Sequence, residues 1–320
     1  MNAHFIRRGQ CPSCGSIDGR RLCAIPYCEV PLRGYLESFY SPQGGVEFEY
    51  LADQEYILAE CGGCGLIYQV EIPNGALMHR LYEKWIDPVK VFELYERRRS
   101  IEYYEHVAAE IFEAVRYFKV HQSELVFLDY SMGWGHWCRV AQAFGCNVQG
   151  TEFNATCVEH ARRNGVPVVI GDSILPGSYD FINLSQVLEH LPDPHGTLLY
   201  LKEALKPGGI IRIGVPNGWD VKERIHKWNW SSKKGSSQSL NSVAPLEHIN
   251  CFNHRALVNL ANAVGLVLID AVPQIVPRKR PLTVVKTMLR PWYRRIRRVL
   301  GQEVSQGNKG TNLSFRIRSW

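Results

Sequence analysis

The short apolar run Leu125–Tyr130 breaks directly into Ser131-Met132-Gly133-Trp134-Gly135, and a helical pattern begins after it. Glycines at a strand-to-helix turn supply φ > 0 conformations and let a ligand approach the backbone at the helix N-terminus. This turn constrains the chain more than any other feature. It predicts a parallel βα unit with a nucleotide-type ligand at the carboxyl end of the strand.

The segments that follow repeat the same alternation. Asn147–Glu152, Pro167–Ile170, Tyr179–Leu184 and Ile210–Val215 are short runs rich in β-branched residues, separated by amphipathic helical stretches. A helix over Arg255–Ala263, a strand over Leu266–Val272 and the alternating run Asn312–Arg318 bring the count to seven strands. The fold class expected is α/β, a doubly wound, mostly parallel seven-stranded sheet. Ahead of it, Ala76–Phe118 carries apolar residues at helical spacing (Leu77, Leu81, Trp85, then Ile101, Tyr104, Val107, Ile111 and Val115). Residues 1–75 form a small β module, 76–120 a helical linker or lid, and 121–320 the ligand-binding domain.

Three successive strand ends offer groups suited to one nucleoside. Glu152 stands 17 residues after Gly135, where a carboxylate accepts hydrogen bonds from ribose hydroxyls. Gly171-Asp172-Ser173 closes the third strand and presents a carboxylate to an adenine amino group. A dinucleotide enzyme needs a third glycine three residues after Gly135, but Cys138 stands there. NAD is therefore disfavoured.

Asp129–Gly135 resembles the first motif of class I S-adenosylmethionine-dependent methyltransferases, Asp-x-Gly-x-Gly-x-Gly, with Ser131 in place of the first glycine. Ser185–Pro194 (SQVLEHLPDP) resembles that family's segment after the fourth strand, and Leu205-Lys-Pro-Gly-Gly209 with Val215-Pro-Asn217 its strand before the substrate loop. The resemblance spans roughly residues 100–270 and implies a Rossmann-like methyltransferase fold. It implies further that Asp129, Ser131, Gly133 and Gly135 hold the methionine and sugar side of S-adenosylmethionine, Glu152 the ribose and Asp172 the adenine. Phe153, Ser173 and Ser185, beside these, belong to the same expected site.

Cys11-Pro-Ser-Cys14-Gly and Cys61-Gly-Gly-Cys64-Gly are paired knuckles. Four thiolates in two such pairs suit a closed tetrahedral zinc site, a structural role with no open coordination position. The 46 residues between the pairs exceed the usual interval, so an inserted hairpin is expected, and Cys23 and Cys28 are substitute ligands. Cys64-Gly-Leu-Ile-Tyr68 together with the Leu188-Glu-His-Leu191 segment is similar to bacterial methyltransferases of sugar and surface-polysaccharide biosynthesis. The chain is similar, less closely, to sugar C-methyltransferases with a zinc-binding N-terminus.

Methyl transfer to a hydroxyl needs proximity and a general base. His190, after the fourth strand, and Glu247-His248, before the last helix, are the candidates. A related quinone-type pattern, Glu-x-x-Glu-His, takes a divalent ion, but Gln186 holds its first position and argues against metal-assisted catalysis. The loop Trp219–Ala244, with Trp228, Trp230, Lys233 and Lys234, is placed to meet a sugar ring and a phosphate.

The formal charge of +6 traces to Arg278–Arg298, which holds nine Lys/Arg and no acid. With Trp292, Ile296 and Leu300 at four-residue spacing, this insertion (275–310) suits an interfacial helix on anionic lipid, or the grip of RNA phosphates. Two other classes stand beside the small-molecule or glycan methyltransferase: an RNA-binding or RNA-methylating protein, and a catalytically silent scaffold. Against the nucleic-acid class, Ser185-Gln-Val-Leu188 replaces the Asn-Pro-Pro-aromatic motif of base-amino methylases. No apolar h-region or spanning stretch is evident, so a cytoplasmic protein is expected, with a peripheral contact at the membrane's inner face through 278–300.

Overall fold

The computed structural model describes residues 3–170, 173–227, 229–232, 234, 236–269 and 311–317. The first strands are β1 (Phe5–Arg7), β2 (Gly19–Pro26), β3 (Glu55–Cys61), β4 (Ile67–Gln69) and β5 (Glu71–Pro73). β1 pairs antiparallel with β5, and β2, β3 and β4 are successive antiparallel neighbours. Between β2 and β3 runs helix α1 (Leu32–Tyr40), so the insertion between the cysteine pairs is a strand, a helix and a strand.

Val46–Tyr50 alternates apolar and acidic residues, a pattern that predicts a strand of the N-terminal β module, but Phe48–Leu51 is a 3-10 turn. Glu47 is a hub that accepts from Arg80 Nη2 at 2.6 Å, Lys84 Nζ at 2.8 Å and Trp85 Nε1 at 2.7 Å. Arg80 first of all, then Lys84 and Trp85, hold its carboxyl down at about 2.

The helical stretch comprises α2 (Gly75–Arg80), a π turn over Leu81–Trp85, α3 (Pro88–Val91), a second π turn over Phe92–Glu96 and α4 (Ile101–Phe118). Asn74 Oδ1 caps α2 through Leu77 N, and the Ser100 hydroxyl caps α4. Of the positions at helical spacing, Leu77, Leu81, Trp85, Val107 and Ile111 are buried and Tyr104 and Val115 half-buried, whereas Ile101, at the first turn of α4, is 68% exposed.

The larger sheet follows the anticipated alternation: β6 (Val126–Asp129), α5 (His136–Ala143), β7 (Asn147–Thr151), α6 (Ala155–Arg163), β8 (Val168–Val169), β9 (Tyr179–Ser185), α7 (Pro194–Ala204) and β10 (Leu205–Val215). Next come α8 (Val221–Lys227), β11 (Asn250–Cys251), α9 (His254–Ala263), β12 (Leu266–Leu268) and β13 (Thr311–Ile317). The spatial order is β12-β13-β10-β9-β6-β7-β8, with β13 antiparallel to both its neighbours and the other pairs parallel. This is the doubly wound, seven-stranded, mostly parallel sheet expected from the sequence. Order reverses between β6 and β9, which puts a ligand crevice at the carboxyl ends of these strands.

β11 leaves that sheet and pairs antiparallel with β4, closing a four-stranded sheet with β3 and β2. The N-terminal strands therefore share both sheet and core with the segment after β10. Tyr27, Leu36, Tyr40, Tyr56 and Trp85 pack against Val221, Ile225, Trp230, Val243 and Leu246. Cys11, Cys61 and Cys64 sit in the same apolar cluster as Leu184 and Phe252. Among the described residues no helix is long and apolar enough to cross a membrane. The basic segment 278–300, with Trp292, Ile296 and Leu300, lies outside the described residues.

Candidate active site

Below the switch point the turn after β6 takes three consecutive odd positions into left-handed backbone: Ser131 (φ 59°), Gly133 (φ 54°) and Gly135 (φ 75°). Gly133 faces open space, while a side chain at Gly135 would meet Ala161 at 3.4 Å. The first glycine leaves room at the ligand; the second lets α5 pack against α6. Ser131 adopts a conformation that costs an L-residue about 1–2 kcal/mol, so the glycine of the family motif has a backbone reason. Thr151 compensates, accepting from Ser131 N through Oγ1 (3.0 Å) and from Met132 N through its carbonyl (2.8 Å).

Glu152 closes the same turn. Its Oε2 accepts from Gly133 N at 2.9 Å, and its Oε1 from Phe153 N (2.8 Å) and Asn154 N (2.9 Å). A carboxylate has about four acceptor positions, so lone-pair capacity is left for a ribose hydroxyl. Phe153 projects with 79% of its surface exposed, and Ser173, four residues beyond β8, is exposed. Asp172 lies outside the described residues.

A cavity of about 590 Å³ opens beside the turn, lined by Asp129, Ser131, Gly133 and Ser185 among others. Beneath it runs a row of polar side chains at one level across the sheet. Asn183 Nδ2 donates to Asp129 Oδ1 (2.7 Å), Arg212 Nη1 donates to Asn183 Oδ1 (2.9 Å), and Arg212 pairs with Glu110 of α4. Burial pushes the Asp129 carboxyl up to about 7, against the hydrogen bond from Asn183. Glu96, Arg99 and Tyr103, from the segment before β6, form the facing wall. Sequence reasoning missed these residues and Arg212. The signal was a lone arginine inside the apolar run Ile210–Val215, because a charge there needs buried partners.

The three catalytic candidates come together but do not line this cavity. His190 ends the 3-10 turn after β9, and its ring lies 4.8 Å from that of His248, edge to face. His190 Nδ1 is 3.0 Å from both the Glu247 carbonyl and the Tyr82 hydroxyl. His248 Nδ1 bonds the carbonyl of Asn241, a residue of the cavity wall. Glu247 turns away, its Oε1 accepting from Tyr40 at 2.8 Å. Burial lowers His190 to about 4 and His248 well below the usual range, while it raises Glu189 to about 8 and Glu247 above its ordinary value. At neutral pH both rings are uncharged, each with a free electron pair.

Trp230 corrects the expectation of an acceptor-facing aromatic. It is buried, 5.0 Å from the Tyr35 ring and 5.8 Å from Tyr56, because the N-terminal aromatic core needs closing. Lys234 does line the cavity; Trp228 and Lys233 lie outside the described residues.

The four knuckle cysteines converge, with ligand atoms all within 4.8 Å of one another. Sγ of Cys11 and Cys64 are 3.6 Å apart, and those of Cys14 and Cys61 3.5 Å. Tetrahedral zinc with Zn–S of about 2.3 Å sets its sulfurs about 3.8 Å apart, so the donor set fits such an ion. Cys23 and Cys28 are not among the four.

Residues 95–271, more than half of the chain, match the family model described as methyltransferase domain. The chain belongs to that family. S-adenosylmethionine is the methyl donor this membership supports. Among curated proteins none matches the chain. Solved structures similar to the methyltransferase include 1,6-didemethyltoxoflavin-N1-methyltransferase from Burkholderia thailandensis (14% identity, TM-score 0.43, covering 84% of this chain and 98% of that one). An S-adenosylmethionine-dependent methyltransferase from Mesorhizobium loti is 16% identical (TM-score 0.42, covering 65% and 97%). A TehB-like methyltransferase from Corynebacterium glutamicum is 15% identical (TM-score 0.40, covering 77% and 100%).

Proposed function

We propose that this methyltransferase methylates a hydroxyl of a sugar or other glycan, with His248 taking the acceptor's proton. One observation supports the reading: the imidazole of His248 bonds the carbonyl of Asn241, a residue of the cavity wall, and so stands next to the space an acceptor would fill. When bound, S-adenosylmethionine supplies an electrophilic methyl on a sulfonium. The acceptor oxygen forms the new C–O bond as the C–S pair returns to sulfur, and the hydroxyl proton passes to an imidazole. Asn217, Ser239, Asn241, Ser242 and Lys234 give the cavity a hydrogen-bonding wall that suits a hydroxylated acceptor.

Asp129, Ser131 and Gly133 would meet the methionine end, Glu152 the ribose, and Phe153 and Ser173 the adenine side. Zinc at Cys11, Cys14, Cys61 and Cys64 is the second part of the proposal, with a structural role: it would fasten the N-terminal strands to the core that backs the His pair. A screen of sugar nucleotides, lipid-linked glycans and RNA with methyl-labelled cofactor tests the acceptor. Label in a glycan is expected; label only in RNA overturns the reading. Metal analysis should return one tightly held zinc, and none in Cys61→Ser.

A further inference from the structure

The histidine pair has a third neighbour that the base role does not use. Glu189 is 1% exposed, and neither of its carboxylate oxygens has a hydrogen-bond partner elsewhere in the described residues; the one N–H beside it is its own. A buried carboxyl with no partner is expensive, and each such group calls for an explanation. Its Oε1 lies 3.9 Å from His190 Nε2, too far for a hydrogen bond. One ligand atom from each of Glu189, His190 and His248 falls within 4.8 Å of the others.

The orientation of the rings is the second, independent observation. His190 Nδ1 and His248 Nδ1 each meet a backbone carbonyl, of Glu247 and Asn241 respectively. A carbonyl only accepts, so both Nδ1 atoms carry their protons and both lone pairs are on Nε2. Fixing the tautomer through the far nitrogen is the arrangement by which proteins present imidazole to a metal. Two imidazoles and one carboxylate, three ligands with room for exogenous ones, suit a borderline divalent transition ion and not Mg²⁺ or Ca²⁺, which prefer oxygen.

We propose that Glu189, His190 and His248 form a second metal site, separate from the cysteines, that takes a divalent transition ion such as Zn²⁺ or Co²⁺. Gln186 is not part of it: its backbone N–H donates to the Gly214 carbonyl at 2.6 Å, and its side-chain amide turns the same way. The third ligand comes instead from His248, 58 residues beyond His190 (248 − 190). His190, its side chain 24% exposed, gives the ion a way in. Lys234 faces the cluster and opposes a cation, while its neighbour Glu247 favours one. The site rests on the reading that His248 takes the acceptor's proton, and it makes ion and acceptor proton rivals for the imidazole lone pairs. Occupancy then slows methyl transfer.

Full-length protein, preloaded with one equivalent of Zn²⁺ to fill the cysteines, is titrated with Co²⁺ and followed by visible absorption. One further Co²⁺ is expected, with weak d–d bands and no thiolate charge-transfer band, and with a matching loss of transfer that a chelator reverses. Glu189→Gln and His248→Gln should each weaken this binding by about tenfold or more, a range already seen for the outer partners of metal ligands. Binding of S-adenosylhomocysteine by calorimetry checks that each variant is folded, and Glu189→Gln, which keeps the shape, decides if His248→Gln is not. No second-site absorption at millimolar Co²⁺, or equal binding in Glu189→Gln, overturns the site. Wild type that binds no Co²⁺ while His248→Gln loses transfer would sink the metal site and leave the base. Co²⁺ binding with full transfer in His248→Gln would do the reverse.

Discussion

The two halves of the active site are built at different ranges. On the cofactor side the contacts are local: Gly133 to Glu152 spans 19 residues and Ser131 to Thr151 spans 20. On the acceptor side Tyr40 reaches Glu247 across 207 residues, Tyr82 reaches His190 across 108, and Gln69 reaches the His248 carbonyl across 179. A glycine turn can thus be one supersecondary unit, while the proposed base is held by a second sheet that β11 ties to β4. Damage to one side should be separable from damage to the other.

The largest expected separation is His248→Gln. It should lower kcat by about 10²–10⁴-fold, the usual contribution of a positioned general base, with the affinity for S-adenosylhomocysteine unchanged by calorimetry. An equal loss of cofactor affinity would break the comparison. Trp85→Ala, removing a fully buried indole held by Glu47, should cost about 3–5 kcal/mol in urea unfolding. Its loss falls on the acceptor side, so transfer at saturating cofactor should drop before cofactor binding does.

Glu152→Ala should do the opposite, weakening cofactor binding by about 1.5–3 kcal/mol with the acceptor's KM unmoved. Unchanged affinity would place the ribose elsewhere. The smallest effect concerns pH. Asp129 is raised to about 7, so its neutral form is favoured in the folded chain: its contribution to stability is present below 3.8 and lost as pH rises through 7. A methionine ammonium needs the ionised form. Affinity for S-adenosylhomocysteine should therefore rise by up to about tenfold per pH unit below 7 and level off above it. Asp129→Asn should abolish that slope, and a slope surviving in the variant would remove Asp129 from the ammonium.

What could be seen without coordinates follows the same division of range. The sequence by itself determined the seven strands, the glycine turn and the two cysteine pairs, because each is written in residues a few positions apart whose periodicity or spacing has a single local cause. It also presented His190, Glu247 and His248 one by one. Only the tertiary structure decided that the two histidines meet edge to face with Glu189 beside them, that Trp230 closes an aromatic core instead of meeting the acceptor, and that Arg212 reaches Glu110 under the cavity. It decided, too, that Phe48–Leu51 is a 3-10 turn and that Glu47 before it bonds Arg80, Lys84 and Trp85. The reason is physical: periodicity reports which face of an element is buried, whereas a partner from a distant element is chosen by the burial of polar groups that must be paired once water is excluded.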